Sequence, residues 1–138
     1  MAMTAEEKYE KWLEAANEDM GTAEIMLRNG RYSYVAFMCE QAIEKLAKGV
    51  YVFTFDKEAP FTHNINIILK NIDAVIEDKR YKDCEVLFSH LTSYYIVGRY
   101  DVYKQQIAQS LDQSSSEELL DQTKEAFRWI QSLVKLST

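Results

Sequence analysis

YSYVAFMCEQAIEKLAKGVYVF, residues 32–53, is the stretch on which the fold turns. Val35, Met38, Ala42, Leu46, Gly49 and Phe53 recur every three or four residues and mark one face of a helix. Phe37, Ile43, Ala47 and Val50 mark a neighbouring face. So wide an apolar surface suits a helix at the centre of a bundle, touching several partners. Its polar residues Gln41, Glu44 and Lys48 share one edge, and Lys45 adds a second positive charge. Two readings of that edge stand open. Glu44 and Lys48 form an ordinary i, i+4 pair on a wet face, or the edge carries function.

The flanking segments keep the same period. Upstream, Tyr9, Leu13, Ala16, Met20, Ala23 and Leu27 form one stripe, which Trp12 widens. Asn29-Gly30 stops it, since both residues tolerate a left-handed cap. Downstream, a loop with Asp56 and the only proline, Pro60, ends the central helix. A third helix is expected from Thr62, with Ile65, Ile68, Leu69, Ile72, Val75 and Ile76 on one face. The charged run 77–80 reads as a solvated turn. A fourth helix is expected over about 83–97, stopped by Gly98. Tyr103, Ile107 and Leu111 recur every four residues in 99–114, which suits a short helical piece. A last helix opens at Ser115-x-x-Glu118, read as a capping box, and continues through Leu119, Ala126, Phe127, Ile130 and Val134. The expected architecture is all-α: an up-and-down bundle of about five helices in a single domain, 1–138.

Composition agrees. The chain has 138 residues, one proline and four glycines, too few turn formers for a sandwich or barrel. A net charge of −6 excludes a uniformly basic surface that coats nucleic acid, though not a local basic site. Cys39 and Cys84 form no CxxC and read as reduced thiols of a cytoplasmic protein, one of them buried. The polar, acidic first ten residues lack the layout of a signal peptide. The longest uncharged apolar stretch, 34–39, is far short of the ~20 residues that span a bilayer. A soluble protein without a membrane segment is expected.

Several chemistries find no support. Bundle di-metal sites use Glu-x-x-His pairs, and neither His63 nor His90 stands in one. GxSxG is absent, and the four isolated glycines cannot build a phosphate loop. No metal and no cofactor are expected. His63, at the first turn of the third helix, suits a structural hydrogen bond to a neighbouring helix or a ligand contact. Arg99, just past Gly98, suits either a helix C-terminus or bidentate phosphate binding. Nine tyrosines is a high count. Tyr94, Tyr95, Tyr100 and Tyr103 fit a half-buried dimer interface or caps of the bundle core.

The ordered set of segments resembles the HEPN domain (higher eukaryotes and prokaryotes nucleotide-binding domain). The likeness is carried by Ala23-Glu24-Ile25-Met26-Leu27 with Asn29-Gly30-Arg31-Tyr32, by Ala36-Phe37, and by Gln41-Ala42-Ile43-Glu44-Lys45-Leu46-Ala47-Lys48. Thr62-His63-Asn64-Ile65, Leu69 and Arg99-Tyr100 complete it. It spans roughly residues 6–136. The resemblance implies an all-α bundle that commonly dimerises and often pairs with a minimal nucleotidyltransferase in toxin–antitoxin or defence systems. Catalytic members are metal-independent RNases in which an arginine is followed after four to six residues by a histidine. There the histidine moves a proton and the arginine stabilises phosphate charge.

Arg99 matches the arginine position, but no histidine follows His90 anywhere in the chain. The resemblance therefore implies a non-catalytic HEPN-like domain. Its partners would be a nucleotide, RNA or a minimal nucleotidyltransferase, with Arg99, Lys104, Lys48, Lys45 and His63 as candidate anion contacts. Gln41 and Glu44 would form a structural polar cluster. The alternatives are an RNase with a divergent active site and a purely structural interaction module.

Overall fold

A computed structural model describes residues 2–98, 105–106 and 109–136, without the side chains of 97 and 98. The six helices bounded among the described residues are α1 (Ala5–Arg28), α2 (Tyr32–Phe55), α3 (Ile65–Leu69), α4 (Asp73–Ile76), α5 (Arg80–Gly98) and α6 (Gln113–Ser132). The described residues contain no strand.

Local chemistry sets each boundary. At the start of α1, Thr4 Oγ1 accepts from the Glu7 N–H at 3.1 Å, and the Glu7 carboxylate accepts from the Thr4 N–H at 3.2 Å. This reciprocal box satisfies two backbone donors that the first turn leaves over. At the other end only Gly30 is left-handed, with φ +70°, while Asn29 keeps φ −102°. The turn is therefore glycine's alone. It reverses the chain within three residues, so α2 returns along α1. Lys8 meets Asp56 at 3.2 Å, and the Tyr9 ring meets that of Phe53 edge-on at 5.8 Å, pairing the start of α1 with the end of α2.

Helix α2 is central, as its two apolar faces predict: it packs on α1, α3, α5 and α6. Val35, Ala36, Cys39, Ala42, Ile43, Leu46 and Ala47 are all fully buried along it. Gly49 lets α1 approach, because a Cβ there would stand 2.8 Å from Trp12 Cβ.

The expected third helix is two short ones, so six helices are bounded among the described residues where about five were expected in all. The cap of α3 is Asn64, whose Oδ1 accepts from the Ile67 N–H at 3.2 Å; Thr62 Oγ1 instead accepts from the Asn64 N–H. The stripe breaks because Asn71 Nδ2 donates to the Ile67 carbonyl at 2.8 Å, in competition with the ladder. Ile72 then takes extended geometry and caps α4. Ile65, Ile68, Leu69, Ile72 and Val75 still reach the core, but Ile76 at the end of α4 is 43% exposed.

Helix α5 starts earlier than the spacing suggests, at Arg80, whose N–H donates to Asp78 Oδ1 at 2.9 Å. Helix α6 starts earlier too. Asp112 is its cap and Ser115 the answering residue of the box, so Glu118 plays no part.

A buried polar network fixes α3 against α5. Asn66 Nδ2 donates to the Glu85 carbonyl and to Ser89 Oγ, and Asn66 Oδ1 accepts from the Tyr81 hydroxyl at 2.8 Å. Burial and the charge of Glu85 push that hydroxyl up to about 12, so Tyr81 stays a donor. The Ile65 N–H donates to Thr92 Oγ1 at 3.3 Å. These contacts hold the loop before α3, which carries His63, beside α2 and α5. Among the described residues no helix is long and apolar enough to cross a membrane.

Candidate functional site

The third and fourth turns of α2 place Glu40 and Glu44 on one face, four residues apart. Both are buried, Glu40 completely. Gln41 Nε2 donates to Glu40 Oε1 at 2.7 Å. Among the described residues no donor reaches Glu40 Oε2, which is also buried. Burial, then the negative charge of Glu44 and a hydrogen bond to it, push the Glu40 carboxyl up to about 9; Gln41 and Lys48 act the other way. Glu40 is thus a neutral acid at pH 7, and Oε2, the oxygen without a donor, is where its proton belongs.

Glu44, the other member of the pair, meets two donors. Lys48 Nζ donates to its Oε2 at 3.0 Å, and His63 Nδ1 lies 3.1 Å from both oxygens. Because the carboxylate only accepts, Nδ1 donates to it, an assignment from the network. The His63 ring stacks on Tyr95 at 4.1 Å and 23°, and Tyr95 lies nearly parallel to Phe37 at 6.2 Å. The His63 side chain is 46% exposed, so one edge is held and the other faces outward. His63 precedes α3 by two residues, not inside its first turn.

The structure therefore brings Gln41, Glu44, Lys48 and His63 together. The Glu44–Lys48 pair is not on a wet face: 5% and 17% of these side chains are accessible. Lys45 is not in the cluster. It turns to α1 and meets Asp19 at 2.7 Å. Lys45, Lys48 and His63 are thus each already paired with a carboxylate. Tyr94 is half-buried and its hydroxyl meets His90 Nε2 at 3.0 Å. Arg99, Tyr100, Tyr103 and Lys104 lie outside the described residues. Among the described residues no group of three or more His, Cys, Asp or Glu is placed to hold a metal ion.

Sequence reasoning missed Glu40 and the His63–Tyr95 stack. The signal for Glu40 was present: two glutamates at i, i+4 in an otherwise apolar helix repel unless one is protonated. The stack had no signal, since residues 63 and 95 are joined only by the docking of α3 on α5.

The cluster can orient an imidazole, hold a buried proton and present Nε2 to a ligand. In its surroundings a family model for the HEPN domain matches residues 9–133. No curated protein and no solved structure gives a match. The family match points to a nucleotide- or RNA-related role or to a partner module. It runs from the first turns of α1 to the end of α6, and on that coverage this chain belongs to the HEPN domain family.

Proposed function

We propose that this chain is a non-catalytic HEPN domain of the cytoplasm. It acts as a dimeric binding or partner subunit that engages a nucleotide, RNA or a minimal nucleotidyltransferase in a toxin–antitoxin or defence setting. The supporting observation is the held imidazole. Glu44 fixes His63 Nδ1, so Nε2 faces outward beside Tyr95. Arg99 follows Tyr95 by four residues in sequence, with no histidine after it to complete the nuclease pair. In this reading His63 and Arg99 are the principal anion contacts, Lys104 assists, and Lys48 and Lys45 act through their carboxylate partners. Tyr94, Tyr95, Tyr100 and Tyr103 flank the dimer contact.

The test mixes purified protein with nucleotides, with RNA and with the product of the adjacent gene. Binding that His63→Ala and Arg99→Ala weaken supports the reading, and absence of binding to all three sinks it. RNA cleavage lost in Arg99→Ala would instead establish a divergent nuclease. A second reading rests on the burial of Glu44 with its two donors: the cluster only locks the bundle. Then Gln41→Ala and Glu44→Ala lower the melting temperature and leave every binding constant unchanged.

A further inference from the structure

Away from that cluster, α5 and α6 flank a groove of about 730 Å³. Cys84 and Leu87 of α5 and Ala126 and Trp129 of α6 give it an apolar floor. Arg80, Asp83, Glu125 and Arg128 rise around that floor and are exposed. Among the described residues none of these four side chains forms an ion pair, unlike Lys8, Lys45, Lys48, Lys70 and Lys124, which all do. Burial pushes the Cys84 thiol up, Asp83, Glu125 and Asp78 add to that and Arg80 acts the other way, so charges of both signs converge there.

Trp129 supplies a second, independent observation. It is 4% exposed, and among the described residues its indole N–H has no hydrogen-bond acceptor. Buried N–H groups are nearly always paired, so this groove-lining residue carries a donor left over.

The lining narrows the class of occupant. Two guanidinium groups and two carboxylates cancel, so a polyanion would meet Asp83 and Glu125, and a simple cation would meet both arginines. An extended polypeptide suits both signs, because it brings carbonyl acceptors, N–H donors and side chains of either charge. An apolar floor inside a polar rim is also the anatomy of a protein interface, and Trp and Arg are the residues on which such interfaces most depend.

We propose that the α5–α6 groove holds an extended peptide segment of a partner protein. An apolar side chain sits on the Cys84–Leu87–Ala126–Trp129 floor, with an acidic residue on Arg80 and Arg128 and a basic one on Asp83 and Glu125. This rests on the partner-module reading only in giving that module a second contact surface.

The probe is the peptide acetyl-Glu-Leu-Ala-Leu-Lys-amide, titrated into the wild-type chain by calorimetry and by ¹H–¹⁵N spectra that resolve the indole N–H groups of Trp12 and Trp129. Saturable binding with a dissociation constant below about 1 mM is expected. The Trp129 indole resonance should move and that of Trp12 should not. Arg80→Glu/Arg128→Glu and Asp83→Lys/Glu125→Lys, each checked for folding, should weaken binding about tenfold or more, as loss of a hot-spot contact does. No saturation, or affinity indifferent to both double variants, overturns the proposal. So does a change of mass in solution in either variant, which would give the groove to a second copy. RNA binding lost with the arginines overturns it too. A nucleotidyltransferase that binds wild type and variants alike removes the groove but leaves the proposed function standing. Peptide binding without any binding of nucleotide, RNA or nucleotidyltransferase does the reverse.

Discussion

Replacing Glu40 by glutamine tests the buried carboxyl pair directly. Glutamine keeps the shape and the carbonyl that accepts from Gln41 Nε2, and it presents an N–H to Glu44 where the protonated acid presents an O–H. What it removes is the ionisation. A free glutamate titrates near 4.5, whereas the folded chain holds the Glu40 proton up to about 9. Between those values the native state binds a proton that the unfolded state has released. The stability tied to Glu40 is therefore complete below pH 4.5 and declines as pH climbs towards about 9.

At about 1.4 kcal/mol per pH unit, keeping the proton at pH 7 costs about 3 kcal/mol relative to acid conditions. Glu40→Gln abolishes that cost. Urea unfolding followed by circular dichroism at several values between pH 5 and 8 measures it for both proteins. The difference in unfolding free energy should widen in favour of the variant by about 1.4 kcal/mol for each pH unit. A constant offset from altered packing does not disturb that slope, and the other titrating groups are common to both chains. Parallel curves would refute the assignment of a neutral, buried Glu40.

Four further outcomes follow from packing and burial. Gly49→Ala should destabilise by about 1–3 kcal/mol in a thermal melt, because its Cβ meets Trp12 Cβ at 2.8 Å and Tyr9 at 3.3 Å. Gly21→Ala should stabilise by about 0.5–1 kcal/mol, since nothing lies within 4 Å of the added carbon and alanine is the better helix former. His63→Ala should cost about 1 kcal/mol, the worth of one hydrogen bond to Glu44, and urea midpoints will read it. Alkylation followed by mass spectrometry should label half-buried Cys84 first. Cys39, fully buried with its thiol pushed up to about 11, should react only on unfolding.

Much of the fold was legible because the long helices bury stripes, and a stripe is a sequence pattern. The two faces of α2 and the stripe ending at Leu27 needed no tertiary information. The third helix misled for the opposite reason. Its apolar period runs through Ile72 to Val75, but one side-chain amide, Asn71, takes a carbonyl from the ladder, and periodicity does not register that competition. The site divided in the same way. Gln41, Glu44 and Lys48 share an edge by helical spacing alone. Lys45 sits among them in sequence yet leaves for Asp19, because the packing of α1 decides where its long chain finds a carboxylate. His63 joins Glu44 across 19 positions of sequence, a contact that exists only once Asn66 and Thr92 have docked α3 on α5.

That docking brings His63 onto Glu44 beside Lys48, and Glu44→Gln separates the charge of Glu44 from its shape. The amide carbonyl still accepts from His63 or Lys48, so the stack on Tyr95 should survive, and an aromatic near-ultraviolet spectrum will report it. The negative charge is lost, and with it the second-largest influence holding the proton on Glu40. Burial remains, so Glu40 should still titrate above a free glutamate but below its wild-type value. The decline of stability with pH should therefore level off earlier than about 9. If it levels off at the same pH, burial alone holds the proton and the two carboxylates are neighbours without being partners. If it moves while ligand or partner affinity stays constant, the pair serves the bundle only. If both move together, the buried proton and the outward face of His63 belong to one device, since Glu44 is the group they share.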